Sequence, residues 1–358
     1  ILMESIDKFD EKLRSERKKI KVDNINYSTR EVFSLYNDGV LVIDPSYQRK
    51  YRWDDKMASK FIESIYLGLP IPPIFVATND TFTQEVVDGV QRISTIIRYM
   101  TEDPEILNKI GKNSTLNLKD LEKLEGLNGV KFSETPEKIK RYFLQRPLQF
   151  ISLNDMSDVD VRYDLFHRIN TGSVALTEQE IRSAVYRGKF IEFVEGLSKY
   201  PSFSNMLKVQ KAHVSDGTIA EQVIKFFAYK NYRDNFKGSV KDFLNQFTKG
   251  VFEGSIDFDY EEESKLFEDT TDALYRLIGE KYFINPKGNS VTPMIKFEAS
   301  LVGVATILAT GADLVDSLPE NWMRNEKFHA STQGATNTPK KLKERIEAAA
   351  DIFTKKAL

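Results

Sequence analysis

Two short segments of the sequence carry residues that are suited to binding phosphate. The first is Tyr47-Gln48-Arg49, which opens a run of cations, amides and aromatic rings that ends at Trp53. A guanidinium group forms bidentate hydrogen bonds to phosphate, and a neighbouring aromatic ring stacks on a base or on the guanidinium itself. The structural alternative for this segment is a surface turn that the tryptophan anchors to the core.

The second segment, Asp88-Gly89-Val90-Gln91-Arg92, is predicted to join the end of a strand to the start of a helix. A helix that begins just after a glycine exposes free backbone N–H groups at its positive end, where anions bind. Gly89 would let the backbone approach a ligand, and Gln91 and Arg92 would project from the first turn beside these amides. Asp88 could cap the helix, orient Arg92 or hold a metal-bound water.

A third segment, Phe166 to Gly172, ends a predicted helix in a polar turn. Thr177 and Glu180 then form a capping box at the start of the next helix, so this pair is expected to be structural. His167 is a candidate general base, although a single histidine with no identified partner is more often a packing residue. Because the polar turn follows the last predicted strand, we expect its side chains to border the same cleft as the first two segments.

The predicted site therefore contains two sets of residues. The catalytic set is Asp88, Gln91 and Arg92. The nucleotide- or phosphate-binding set is Tyr47, Gln48, Arg49, Gly89, Arg92, Thr95, Arg168, Asn170 and Thr171. The sequence assigns no metal ligands.

The composition restricts the classes of protein to which the chain could belong. Its 358 residues include 51 Lys or Arg and 53 Asp or Glu, so the formal net charge is -2 and any phosphate site must be local. The absence of cysteine excludes disulfides and thiolate chemistry and fits a reducing compartment. No stretch approaches the roughly 18 apolar residues that span a bilayer, so we expect a cytoplasmic protein with no membrane partner.

Hydrophobic periodicity predicts the elements that must position these segments. Apolar residues at helical spacing predict a helix over 54–67, with Asp54 as its N-cap and Gly68 as its C-terminal stop. A polar turn separates two further apolar runs, which predicts a hairpin ahead of Asp88. The predicted strands are 40–43, 74–78, 85–87 and 147–153.

From about residue 158 onward, helical periodicity dominates the sequence. The fold class is therefore predicted to be α+β, with a small mixed-sheet domain followed by an all-helical domain. The predicted boundaries are a charged N-terminal helical arm over 1–38, a nucleotide- or phosphate-binding domain over 39–175 and a helical domain over 176–358.

Four ordered motifs resemble a known family. They are Tyr47-Gln48-Arg49 through Trp53, Leu67 to Ile74, Asp88 to Arg92 and Phe166 to Arg182. They resemble the N-terminal domain family of GmrSD-type restriction endonucleases, which is related to the ParB/sulfiredoxin fold. The resemblance implies a nucleotide-binding, often NTP-hydrolysing module used in bacterial and archaeal defence against phage and modified foreign DNA. It implies an NTP with Mg²⁺ as ligand, DNA and a partner nuclease subunit as partners, and is compatible with a homo-oligomer.

The sequence departs from the family pattern in two respects. The family usually has Asp-Gly-Gln-Gln-Arg, whereas valine stands at the third position here, Val90. This change puts hydrolysis in more doubt than binding, because the other four residues of the motif remain. The His-rich nuclease motif that such systems commonly carry is missing, and without a Gly-x-x-x-x-Gly-Lys-Ser/Thr loop the chain cannot be a P-loop NTPase.

Three functions remain open at this point. The leading hypothesis is a ParB-like domain that hydrolyses or senses NTPs and couples this to DNA recognition, which would make the chain an NTPase component of a restriction-type nuclease system. The alternative is a non-catalytic DNA-binding or regulatory module that uses the same cationic cleft for backbone phosphates. Salt dependence separates these two, because backbone binding weakens steeply with salt. Direct nuclease action by the sheet domain ranks last, since few Asp, Glu and His residues cluster around Asp88.

Overall fold

The computed structural model describes residues 21–43, 51–78, 81–154, 159–169, 176–214, 216–280 and 291–355, together with 8–9, 11–13 and 15–16 near the start of the chain. The chain divides into two compact units, Ile1–Leu176 and Thr177–Leu358. The first unit contains a mixed β-sheet with helices, and the second is helical. The α+β fold class that the sequence predicts is therefore confirmed.

A five-stranded sheet lies within the described part of the first unit, in the order β1-β5-β3-β4-β2. Strands β3 and β4 form the predicted antiparallel hairpin, and β5 pairs parallel to β3. At the edges, β1 pairs antiparallel to β5, and β2 pairs parallel to β4. The strands are β1 Val22–Ser28, β2 Leu41–Val42, β3 Ile74–Thr78, β4 Gln84–Asp88 and β5 Pro147–Asn154.

Helices accompany this sheet in the described part of the first unit. They are α1 Thr29–Asn37, α2 Asp55–Leu67, α3 Val90–Met100, α4 Pro104–Lys109, α5 Glu137–Leu144 and α6 Val159–Ile169. The Asp54 side chain caps α2, and Gly68 ends it in the left-handed conformation, as the sequence predicts. Ile93, Ile96 and Ile97 of α3 are fully buried against the sheet core, which fixes the direction of α3 relative to β4.

Residues 22–37 correct the prediction of a charged helical arm over 1–38. They form β1 and α1, and β1 pairs along its whole length with β5. Most residues of β1 are exposed, as an edge strand allows, so the sequence lacks the run of apolar residues by which a buried strand is recognised. The sheet domain therefore begins well before residue 39.

The second unit consists of helices around an aromatic core that includes Phe203, Phe227 and Phe267. The predicted capping box of Thr177 and Glu180 is confirmed at the start of its first helix. No helix in the described ranges is long and apolar enough to cross a membrane. The helices are α7 Glu178–Val185, α8 Lys189–Leu197, α9 Pro201–Met206, α10 Thr218–Asn231, α11 Val240–Phe252, α12 Tyr260–Ile278, α13 Met294–Thr310, α14 Glu326–Ser331 and α15 Pro339–Phe353.

Candidate functional site

Gly89 forms the junction between β4 and α3, and a larger residue there would collide with the Ile74 side chain. Its φ of +108° lies in the region that favours glycine. A Cβ atom at this position would come within 2.6 Å of Cδ1 and 3.3 Å of Cγ2 of Ile74, which is fully buried in β3. The backbone conformation and the close approach to Ile74 thus both favour glycine at this position.

The amino end of α3 has no side-chain cap. Gly89 is the N-cap residue, and its lack of a side chain leaves the first-turn amides uncapped. The first intrahelical bond runs from the Ile93 amide to the Gly89 carbonyl at 2.9 Å, so the three preceding amide groups have no partner within the helix. Such an end carries partial positive charge and suits an anion.

Arg92 lies mostly inside the protein rather than projecting into solvent. Its Nη1 donates to the carbonyl oxygens of Pro72 and Pro73, at 3.1 Å for Pro73, and its Nη2 donates to Asp88 Oδ2 at 2.7 Å. The side chain is only 12% exposed. Burial lowers the pKa of the guanidinium and the Asp88 carboxylate opposes this shift, yet arginine stays charged. Arg92 therefore fastens the proline-rich loop to the junction of β4 and α3.

Asp88 shows one of the three roles that the sequence left open. Its carboxylate pairs with Arg92 and does not cap α3. Its side chain is 49% exposed, so the carboxylate remains accessible from solvent. The Val90 side chain, which replaces the glutamine of the family motif, is partly buried and packs against the core of the first unit.

Gln91 connects the second motif to the end of the first. Its side-chain Oε1 accepts hydrogen bonds from the backbone amides of Arg52 at 2.7 Å and Trp53 at 3.2 Å. These residues are close neighbours of Arg49 in the sequence, and Gln91 is nearly 40 positions away. The side-chain carbonyl is thus committed to holding the chain around Trp53 beside α3.

Thr95 follows Gln91 by one helical turn in α3. Its burial argues against the prediction that it binds phosphate. The Thr95 side chain is fully buried, and its hydroxyl donates to the Gln91 carbonyl at 2.7 Å. It also shares a hydrogen bond of 2.9 Å with the Tyr51 hydroxyl, and burial raises the pKa of this tyrosine. Because the Thr95 hydroxyl has no access to solvent, it positions Tyr51 rather than contacting a ligand.

Lys112 is a basic residue near these motifs that sequence reasoning missed. Its ammonium group lies 4.5 Å from the centroid of the Tyr51 ring, and Arg98 lies over the same ring at 5.7 Å. Burial lowers the pKa of Lys112, with Arg98 adding to the effect and Asp55 opposing it. Asp55 itself pairs with Arg98 at 2.7 Å. The environment of Tyr51 therefore carries an excess of positive charge.

A comparison with known protein families gives one match. The model of the GmrSD restriction endonuclease N-terminal domain matches residues 29–187. Residues 29–187 are therefore similar to the GmrSD restriction endonuclease N-terminal domain. The match runs from the first residue of α1 past the end of α7 and includes the junction of β4 and α3. No curated protein and no solved structure matches the chain.

Part of the predicted site lies outside the described residues. This holds for Tyr47, Gln48 and Arg49 and for Asn170 and Thr171. The structure therefore places Arg52 and Trp53 next to α3. The cleft that the first two segments are predicted to share stays a prediction.

Arg168 and His167 are exposed residues at the end of α6. Arg168 pairs with Asp164, one turn earlier in the same helix, at 2.8 Å. An exposed pair of this kind is a common feature of helix surfaces and indicates no ligand. The roles predicted for the two residues stay predictions.

The contacts of Gln91 make a prediction about its replacement. We expect Gln91→Ala to destabilise the domain by about 1–2 kcal/mol, because two amides around Trp53 lose their acceptor while solvent compensates in part. Gln91→Glu keeps an acceptor at this position and should retain most of the stability. Urea unfolding of the two variants measures the difference, and equal stabilities would show that the Gln91 carbonyl does not hold this segment.

Proposed function

We propose that this GmrSD-type domain binds a nucleoside triphosphate at the start of α3 and hydrolyses it, and that hydrolysis is coupled to the restriction of modified foreign DNA. The observation that carries the proposal is the hydrogen-bonded contact of Gln91 with the backbone of Arg52 and Trp53. It brings Arg52 and Trp53, which follow the Tyr47-Gln48-Arg49 segment in the sequence, to the first turn of α3, and the composition of that segment and the uncapped helix end both suit phosphate.

We assign each residue a role according to the hydrogen bonds and ion pairs that its side chain already makes. The uncapped amides of α3 would receive phosphate oxygens, and Arg49 would supply a guanidinium from the neighbouring motif. Arg92 is committed to Pro72, Pro73 and Asp88, so we assign it the role of a positioning residue. Lys112 would add positive charge near Tyr51.

Asp88 is the residue of the motif that could hold Mg²⁺ or orient a water. Its side chain is half exposed, and one of its oxygens is paired with Arg92. In the described residues, no three Asp, Glu or His side chains converge on one point. A donor set of one carboxylate fits Mg²⁺ bound mainly through the phosphates of its nucleotide, which is how this ion is commonly held. When bound, the ion would neutralise charge on those phosphates.

A nucleotide titration tests the proposal. With each of the four NTPs and Mg²⁺, we expect one or more to raise the Tm of the full chain, because a ligand present at 100 times its Kd adds about 2.7 kcal/mol of stability. Release of inorganic phosphate should accompany binding. Arg49→Gln should lose the nucleotide-dependent rise.

The matched control is Arg30→Gln, which removes an exposed arginine at the start of α1 and should behave like the parent. If no NTP raised the Tm while duplex DNA bound with steep salt dependence, the chain would be a non-catalytic DNA-binding module. DNA cleavage would in our proposal fall to a partner nuclease subunit.

A further inference from the structure

Helix α5 and the end of α2 both carry exposed side chains. Tyr142 of α5 is 45% exposed, and Leu67 and Leu69 at the end of α2 are 41% and 51% exposed. Arg146 links the two elements. Its guanidinium lies 4.4 Å from the Tyr142 ring centroid, and its Nη1 would lie 3.3 Å from a Cβ at Gly68. We call these residues, with Lys138 and Arg141 of α5, the α5 surface.

The α5 surface has a local excess of positive charge. Residues 138–154 contain four cations and no Asp or Glu, although the chain as a whole has a net charge of -2. Lys140 is partly neutralised, since it lies 3.4 Å from Glu137. Within the part of the chain that the structure describes, Lys138, Arg141 and Arg146 form no salt bridge with a carboxylate.

The exposed lysines of helix α15 in the second unit, by contrast, do have carboxylate partners. There Lys340 lies 3.8 Å from Glu344, and Lys343 lies 3.9 Å from Glu347. Both are pairs one turn apart, the usual arrangement on a solvated helix. Lys138 and Arg141 of α5 thus differ from the lysines of α15 in having no carboxylate of a described residue within salt-bridge distance, and Arg141 Nε donates instead to the backbone carbonyl of Glu137 at 3.4 Å.

We propose that the α5 surface binds the sugar-phosphate backbone of double-stranded DNA. The inference rests on the proposed function to the extent that the domain acts on DNA, but not on nucleotide binding. Unpaired exposed cations gain phosphate contacts without giving up an ion pair, and binding releases the counterions of the DNA. Tyr142 and Arg146 can contact phosphate and sugar, as such side chains do in protein–DNA interfaces.

Charge is the reason for preferring DNA to a protein partner. The centre of a protein interface is depleted of charged residues, and lysine is depleted in particular. Here Lys138 and Arg141 are exposed on the same helix as Tyr142, and Arg146 lies over the Tyr142 ring. A polyanion satisfies these cations, whereas an apolar partner would leave them unpaired.

The test compares two pairs of substitutions that remove the same charge. Lys138→Gln with Arg141→Gln neutralises the α5 surface, and Lys340→Gln with Lys343→Gln neutralises exposed cations of α15. Fluorescence anisotropy with a labelled duplex, measured on the full chain from about 50 to 200 mM salt, gives the affinity and its salt slope. The nucleotide-dependent Tm rise is measured on the same samples.

We expect the α5 pair to weaken duplex binding by about tenfold or more at low salt and to reduce the salt slope by about two, because each cation that contacts a phosphate contributes about 0.9 to the slope. The α15 pair should match the parent. Equal affinities for the two double variants, or a parent that binds no duplex, would overturn the proposal even if nucleotide binding persisted. Loss of DNA binding in the α5 pair, in a chain that binds no NTP, would support the α5 surface and refute the nucleotide proposal.

Discussion

Gly89→Ala should destabilise the domain by about 2–5 kcal/mol, which combines the cost of a left-handed backbone at a non-glycine residue with that of overpacking a core. The new methyl group would lie 2.6 Å from the Cδ1 atom of Ile74, a residue with no exposed surface. The fraction that folds should also lose the nucleotide-dependent rise in Tm, because the methyl group would displace the amides at the start of α3. Urea unfolding and nucleotide titration measure the two effects.

Two further variants separate the steric cost from the backbone cost. Gly111 has a φ of +72°, and no atom lies within 4 Å of the position that a Cβ would occupy there, so Gly111→Ala should cost about 1–2 kcal/mol, the backbone cost alone. Ile74→Val removes the Cδ1 atom and should recover part of the stability that Gly89→Ala loses. A Gly89→Ala variant no less stable than Gly111→Ala, with no effect of Ile74→Val, would contradict a steric requirement for glycine at the junction.

The elements around the site could be predicted because their signals are local. Asp54 and Gly68 bound α2 through capping rules that involve only near neighbours, and the hairpin of β3 and β4 follows from two apolar runs and a polar turn. Strand β1 could not be predicted in this way. Its stability comes from pairing with β5, more than 100 residues later in the chain, and its exposed face carries no apolar pattern.

The partners of the site residues were beyond prediction for the same reason. The residue types of the two segments predicted a shared cleft containing Gln91 and Thr95, but the sequence cannot show that the Gln91 carbonyl faces backbone amides or that the Thr95 hydroxyl is buried. Lys112 reaches Tyr51 from a segment with no recognisable motif. The choice between contacting a ligand and positioning a neighbour therefore depends on tertiary packing, which the sequence does not show.

The Arg92→Ala variant tests whether Arg92, the cation of the Asp88 to Arg92 segment, contacts a ligand or positions its neighbours. We expect a loss of about 2–4 kcal/mol of stability, because the carbonyls of Pro72 and Pro73 lose their donor and a partly buried ion pair with Asp88 is broken. Arg92→Lys should restore little of this, since a single ammonium cannot reproduce the fork that spans both carbonyls and the carboxylate.

Arg168→Ala is the matched control, because Arg168 pairs with Asp164 at the same four-residue spacing and at 2.8 Å, compared with 2.7 Å for Arg92 and Asp88. Arg168 is 74% exposed and Arg92 is 12% exposed, so the control should cost no more than about 0.5 kcal/mol. The free energies of unfolding in urea, followed by nucleotide titration of each folded variant, decide between two roles for Arg92. If Arg92→Ala were as stable as Arg168→Ala but failed to bind nucleotide, Arg92 would be a direct phosphate ligand. If it were strongly destabilised, the guanidinium would act by holding the proline-rich loop against the start of α3.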